Sequence, residues 1–292
     1  MAPEILTATS ASASGLNDDN VIFPGGDSEV DRLDLQHKVI YDGTPKFVWA
    51  PLDLSKGGLK ILDQATGSGI WLRDAREAAK ADPPNTWIGT DIEDAYFPKD
   101  SPADMSYFRQ SMTEDWPKEW NGTFDFVHTR LAIPNCGTTP LPEAVKRLIN
   151  LVKPGGWIQL IEMEWADWDL GPEGRVFHTA VRDLISMASN GQGLDLRELF
   201  IQLFKDAGLQ NVGVDFFSTP FGARASERIR ETSEKALMAT VSSVSEQTKL
   251  MPPISVPREK LDAMSAKILE EAKEIGFEYR FFVVWAQRPI EG

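Results

Sequence analysis

What the chain has least of is cysteine. Among 292 residues there is one, Cys136, so no disulfide can close within the chain, and a reducing compartment suits it. Basic side chains are also short, 30 against 44 acidic ones for a formal net charge of −14. That balance argues against a nucleic-acid backbone or an anionic membrane as the main partner and leaves a small molecule as the natural one. No apolar run approaches the roughly 20 residues that span a bilayer. The opening run MAPEILTATSASASG has neither the basic head nor the long apolar core of a secretory signal, so a cytoplasmic protein is expected. Histidine is sparse, at three, and no Ser/His/Asp, paired-carboxylate or metal-ligand spacing stands out.

What is present is an ordinary globular composition, 42% hydrophobic and 25% charged, at a length that can bury a substantial core. The organising stretch, residues 59–71, reads LKILDQATGSGIW. Leu59, Ile61 and Leu62 form a short apolar run suited to a buried parallel strand that ends at Asp63. The small residues Ala65 to Gly69 let a backbone approach a ligand closely, with Gly67 and Gly69 free to take positive φ. Trp71, Leu72, Ala75, Ala78 and Ala79 then follow at helical spacing, predicting a helix over 70–81 that stops before Pro83 and Pro84. Strand, glycine turn and helix make a nucleotide-type binding unit.

The unit lacks the third glycine of a dinucleotide fingerprint, where Leu72 stands, and the Gly-Lys-Ser/Thr of a phosphate loop. A second acid follows. Residues 86–91, TWIGTD, are another apolar strand ending in a carboxylate, about 22 residues past Gly69, the usual place for a group that accepts from both ribose hydroxyls. Asp91, with Ile92 beside it, takes that role. The acid-x-Ala-x-Gly-x-Gly pattern resembles motif I of class I S-adenosylmethionine-dependent methyltransferases, with Ala65 where that family usually has glycine. The run LVKPGGWIQL also resembles the family's approach to its fifth strand, and FDFVHTRL is similar to a strand-four motif of fungal secondary-metabolism methyltransferases. The resemblance covers roughly residues 30–290.

The resemblance implies an α/β, Rossmann-like, doubly wound seven-stranded sheet with its last strand antiparallel, and S-adenosyl-L-methionine as cofactor. Strands are expected at 105–110, 123–128, from Lys153 onward, 211–217 and 279–287. Helices are expected at 142–153, 175–189, 195–207, 225–244 and 257–275. Residues 1–20 have no periodicity and read as a disordered tail. Residues 21–292 read as one domain, with an N-terminal lid at 21–58 and a helical insertion at 218–278 covering the substrate. Asp63, Ala65, Gly67, Gly69, Asp91 and Ile92 are the expected cofactor residues, with Gln110, Ser111 and Met112 near the adenine. His128 and Arg130 share one strand face and join them. Tyr41, Trp49, Glu164 and Trp165 are candidates for substrate contact, with Glu162 and Trp168 at the same strand end.

Methyl transfer is an in-line displacement in which the protein mainly aligns the reactants and excludes water. An acceptor that needs deprotonation would require a base, and His37 and His128 are the candidates, each equally readable as a packing residue. The acceptor atom, O, N or S, stays open. Two other readings also stay open: a protein of this fold that directs a non-methylating cyclisation, to which Ala65 points, and a regulatory binding protein.

Overall fold

The computed structural model describes residues 26–166, 168–250 and 254–290; the expected tail at 1–20 lies outside the described residues. Seven strands form one sheet: β1 (Lys60–Gln64), β2 (Thr86–Asp91), β3 (Met105–Arg109), β4 (Phe124–Arg130), β5 (Val152–Met163), β6 (Gln210–Phe221) and β7 (Phe277–Gln287). Their order is β3-β2-β1-β4-β5-β7-β6. β1 to β5 pair in parallel, whereas β7 lies antiparallel to both β5 and β6. The order reverses between β1 and β4, and open parallel sheets bind ligands outside the carboxyl ends of their strands at such a point. Asp63 and His128 face each other there.

The helices are α1 (Gly26–Gly43), α2 (Ile70–Ala79), α3 (Leu141–Leu151), α4 (Pro172–Ala188), α5 (Leu196–Asp206), α6 (Arg230–Leu250) and α7 (Arg258–Glu274). Their apolar stripes account for the packing. Leu141, Ala144, Val145 and Leu148 of α3 join Phe200, Leu203 and Phe204 of α5 against one face of the sheet. Trp71, Leu72 and Ala75 of α2 pack with Ile61, Trp87 and Phe126 on another part of the core. The third cluster belongs to α4, α6 and α7, whose Phe177, Val241, Val244 and Ile268 meet Phe277 and Phe281 of β7.

Three boundaries differ from expectation for local reasons. The α3 helix begins at Leu141 and holds Pro142 in its first turn, where the missing N–H costs nothing. The run from Lys153 that leads into the fifth strand lies inside β5 as an irregularity: Phe124 pairs with Val152 and Phe126 with Trp157, and the extra residues loop out between them. The insertion is narrower than expected, because β6 extends to Phe221 and β7 starts at Phe277. Its first helix starts at Arg230 rather than 225. The helices at 222–276 pack on α1 and α4.

Phe200 is fully buried and stacks obliquely on Phe282 at 6.0 Å. Phe200→Ala is therefore expected to destabilise the fold by about 3–5 kcal/mol, read as a lowered midpoint in chemical unfolding.

Candidate functional site

The turn after β1 carries three left-handed residues, Ala65 (φ 53°), Gly67 (φ 55°) and Gly69 (φ 73°). Ala65 holds a conformation that costs an L-residue about 1–2 kcal/mol, which is the physical reason a glycine suits that place. A Cβ on Gly67 would come within 2.8 Å of Leu33, and one on Gly69 within 2.3 Å of Tyr107. Two carboxylates fix the turn. Asp91 Oδ2 accepts from the Gly67 N–H at 2.8 Å and its Oδ1 from the Glu93 N–H at 3.1 Å. Asp63 Oδ2 accepts from the Thr66 hydroxyl at 2.7 Å, and its Oδ1 lies 2.7 Å from His128 Nδ1.

Helix α1 closes over this turn. Its Leu33 touches Gly67, and Asp34 accepts from the Ser68 hydroxyl. Glu29 and Arg32 form a buried two-pronged ion pair at 2.6 and 2.8 Å. His37 lies 3.0 Å from Asp74 through Nε2 and 3.0 Å from Arg130 Nη2 through Nδ1. An arginine only donates, so Nδ1 is the acceptor and Nε2 carries the proton toward Asp74. Burial lowers the His37 pKa, more than Asp74 raises it.

A cavity of about 260 Å³ opens at the carboxyl ends of the strands. One end is bounded by Asp63 to Ser68, Asp91, Ile92, Gln110, Ser111 and Met112. The other end is apolar, with Leu131, Met163, Trp165, Phe177, Val181 and Phe281 among its walls. Of the residues expected at a site, the structure thus brings Asp63, Ala65, Gly67, Asp91, Ile92, Gln110, Ser111, Met112, His128, Arg130 and Trp165 to one cavity. It does not bring the rest. Gly69 caps the start of α2 behind the turn. Glu164 points to Arg197, 2.6 Å away, and does not line the cavity. His37, Tyr41 and Trp49 line a separate crevice of about 10 Å³, and Trp49 is stacked on Phe217 at 5.2 Å. With both ring nitrogens of His37 engaged, neither can take a proton from a substrate. His128 lines the cavity but has no exposed surface; its ring stacks on Trp71 at 3.9 Å, and burial lowers its pKa. It braces Asp63, which suits it poorly as a base.

Several lining groups were not legible as such. Glu29, Arg32 and Gln36 of α1 line the cavity too and were not singled out in the sequence, because a charged pair at i,i+3 spacing gives no sign of burial. The Tyr279 hydroxyl, at the wall of the cavity, meets no partner among the described residues. Glu162, which the sequence placed at the ligand-side end of the fifth strand, does line the cavity and is the most informative. Its Oε1 accepts from the Ala132 and Ile133 N–H groups at 2.9 and 3.0 Å, and burial pushes its pKa up to about 8 in spite of those bonds. Alternation assigns Glu162 and Glu164 to the same strand face, so it could not have told them apart; only the end of β5 at Met163 does.

The cavity's polar end fits S-adenosylmethionine. Each Asp91 oxygen keeps acceptor capacity beyond its one backbone bond. Arg130 is half-buried at the end of β4; desolvation draws its guanidinium down to about 10, and it is charged at neutral pH. Its hydrogen bond goes to the neutral His37, and the Asp63 and Asp74 carboxylates act on it through space, so a ligand carboxylate could still bond to it directly.

The chain is 36% identical over 284 residues to the N-methyltransferase sirN of Leptosphaeria maculans, covering 94% of this chain and 96% of that one. It is 32% identical to the methyltransferase psoC of Aspergillus fumigatus, covering 83% and 88%. To the N-methyltransferase gliN of the same fungus it is 30% identical, covering 90% and 94%. No protein-family model matches the chain. Among solved structures, the Haloferax volcanii chain assigned as a methyltransferase and solved with the Trm112 activator shares the fold, with a TM-score of 0.50 at 14% identity, covering 91% and 99%.

Two outcomes follow from this geometry. Ala65→Gly relieves the left-handed strain and is expected to leave stability unchanged or raise it by up to about 1 kcal/mol, measured by chemical unfolding. Between the ordinary value of 4.5 and about 8, the folded chain holds on Glu162 a proton that the unfolded chain has lost. Stability therefore falls as pH rises through that window, by at most about 1.4 kcal/mol per pH unit. Glu162→Gln is expected to flatten that slope and raise the unfolding midpoint at neutral pH.

Proposed function

This chain belongs to the class I S-adenosylmethionine-dependent methyltransferases, among the fungal ones, and on that premise we propose that it methylates a nitrogen of a small, largely apolar metabolite. The observation that carries the reading is the pairing of two strand-end carboxylates, Asp63 and Asp91, around one left-handed turn, with an enclosed apolar chamber continuous with it. The choice of nitrogen draws on the printed names of the relatives, N-methyltransferases at 36% and 30% identity.

The bound cofactor supplies a methyl group on a sulfonium, a leaving group that needs no acid. The chain's own residues then have three tasks. Asp91 accepts hydrogen bonds from ribose hydroxyls while the Gly67 N–H keeps the carboxylate in place. Gln110, Ser111 and Met112 take the base end, and Arg130 faces the amino-acid end, where its charge complements a carboxylate. Helix α1 and the insertion helix α6, which contributes Ala236, Thr240 and Val244 to the walls, exclude water from the chamber and hold the acceptor in line. In this reading α1 is the lid, and the helices between β6 and β7 cover the substrate.

Asp91→Ala is expected to weaken S-adenosylmethionine binding by about 1–3 kcal/mol, the cost of leaving buried polar groups unpaired, as read by calorimetric titration. Unchanged affinity in a folded variant would remove Asp91 from the site. Burial, with Asp63 adding to it, raises the Asp91 pKa. The ionised form is the better acceptor, so wild-type cofactor affinity is expected to fall as pH drops through that raised value, earlier than an ordinary carboxylate would cause. Methyl transfer to nitrogen is tested by mass spectrometry of small amines incubated with methyl-labelled cofactor, with label on oxygen or sulfur alone contradicting the choice of atom.

A further inference from the structure

Glu162 stands where β5 gives out and lines the cavity. Its Oε1 is spoken for by the backbone N–H groups of Ala132 and Ile133. Its Oε2 meets no hydrogen-bond or ion-pair partner among the described residues, although the carboxyl is 2% exposed. Ala132, Pro134, Asn135 and Leu196 line the same cavity. The Asn135 Oδ1 is also buried and meets no partner among the described residues. Glu162 therefore carries an unspent acceptor with no donor supplied by the protein. A buried carboxyl held by only two backbone donors at the wall of a cavity calls for a ligand that brings N–H groups.

We propose that Glu162 is the group that binds the acceptor amine and takes its proton, so that the acceptor class is a basic amine carried on an apolar or aromatic body. This rests on the methyltransferase reading above and adds the acceptor's chemistry to it. The step balances without any further reagent. An ammonium N–H bond breaks, its electron pair stays on nitrogen as the lone pair the reaction needs, and the proton forms an O–H bond on Glu162 Oε2. A charged pair becomes a neutral amine and a neutral carboxyl, a change that a water-poor chamber favours. Glu162 touches the acceptor directly, unlike His37 and His128, whose accessible nitrogens are committed or covered.

The ionisable neighbours leave this titration to Glu162. Its shift comes from burial opposed by the two backbone bonds, with no charged side chain contributing. Glu164, two residues on, is paired with Arg197. Across the strand pair Phe282 of β7 stands opposite. From β4, the neighbouring strand, Arg130 bonds to His37. Elsewhere in the cavity, Glu29 and Arg32 neutralise each other on α1, and Tyr279 of β7 stays protonated because burial raises its pKa.

The test uses N-methylbenzylamine as probe, titrated calorimetrically into the full-length protein saturated with S-adenosylhomocysteine, across about pH 6 to 10. Wild-type affinity is expected to climb with pH up to the Glu162 titration near 8, level off, and fall once the amine itself loses its charge. In Glu162→Gln, which keeps an oxygen for the two backbone donors, affinity is expected to be at least about tenfold lower near the wild-type optimum and to climb without a maximum. Equal affinity and an identical pH profile in the variant, or no binding of the probe to the wild type, would overturn the assignment. Titration of each protein with S-adenosylhomocysteine alone reads the underlying function separately. Equal binding there confines any defect to the acceptor end, whereas no binding to the wild type overturns the methyltransferase site and this assignment together.

Discussion

The hydrogen bond from the Gly67 N–H to Asp91 is the contact on which the site depends. It ties the turn after β1 to the end of β2 at a place where the backbone must run left-handed through Ala65 and Gly67. The second tie, Thr66 to Asp63, anchors the same turn to its own strand. Both acids are buried beside each other, a costly arrangement for charge unless donors surround them. Backbone N–H groups, a hydroxyl and the His128 ring provide those donors, so the two carboxylates are held as fixed acceptors ahead of any ligand.

From that contact the rest of the architecture follows in layers. The strand reversal between β1 and β4 opens the crevice. Helix α1 lies across it, its Leu33 occupying the space that only a glycine at 67 leaves free, and its buried His37 linking Asp74 to Arg130. Arg130 is thereby held by hydrogen bond to a neutral partner. The chamber beyond is apolar because α4, α6 and β7 all turn their core stripes toward it. Within it Glu162 is a carboxyl whose titration burial has moved into the neutral range.

Much of this was legible in the sequence, and the limits have physical causes. The strand-turn-helix unit and the second acid show because parallel core strands are short apolar runs and their ends carry the ligand-binding groups; the antiparallel last strand came from the family resemblance. Of the residues expected at the cofactor, Asp63, Ala65, Gly67, Asp91, Ile92, Gln110, Ser111 and Met112 line one cavity. The acceptor end was less legible. His37 and Glu164 are polar residues near the right elements, but which way a side chain points depends on tertiary contacts: His37 was claimed by Asp74 and Arg130, and Glu164 by Arg197. Glu29 and Arg32 were invisible because a helical ion pair has the same spacing whether buried or solvated. The run from Lys153 read as the way into the fifth strand, and the sheet absorbs it as an irregularity within β5.

The central claim is that the turn between β1 and α2 is built for S-adenosylmethionine. Calorimetric titration of the purified protein with S-adenosylmethionine, and separately with NAD, tests it most directly. The account predicts saturable binding of S-adenosylmethionine and none of NAD; binding of NAD alone, or of neither, would contradict it.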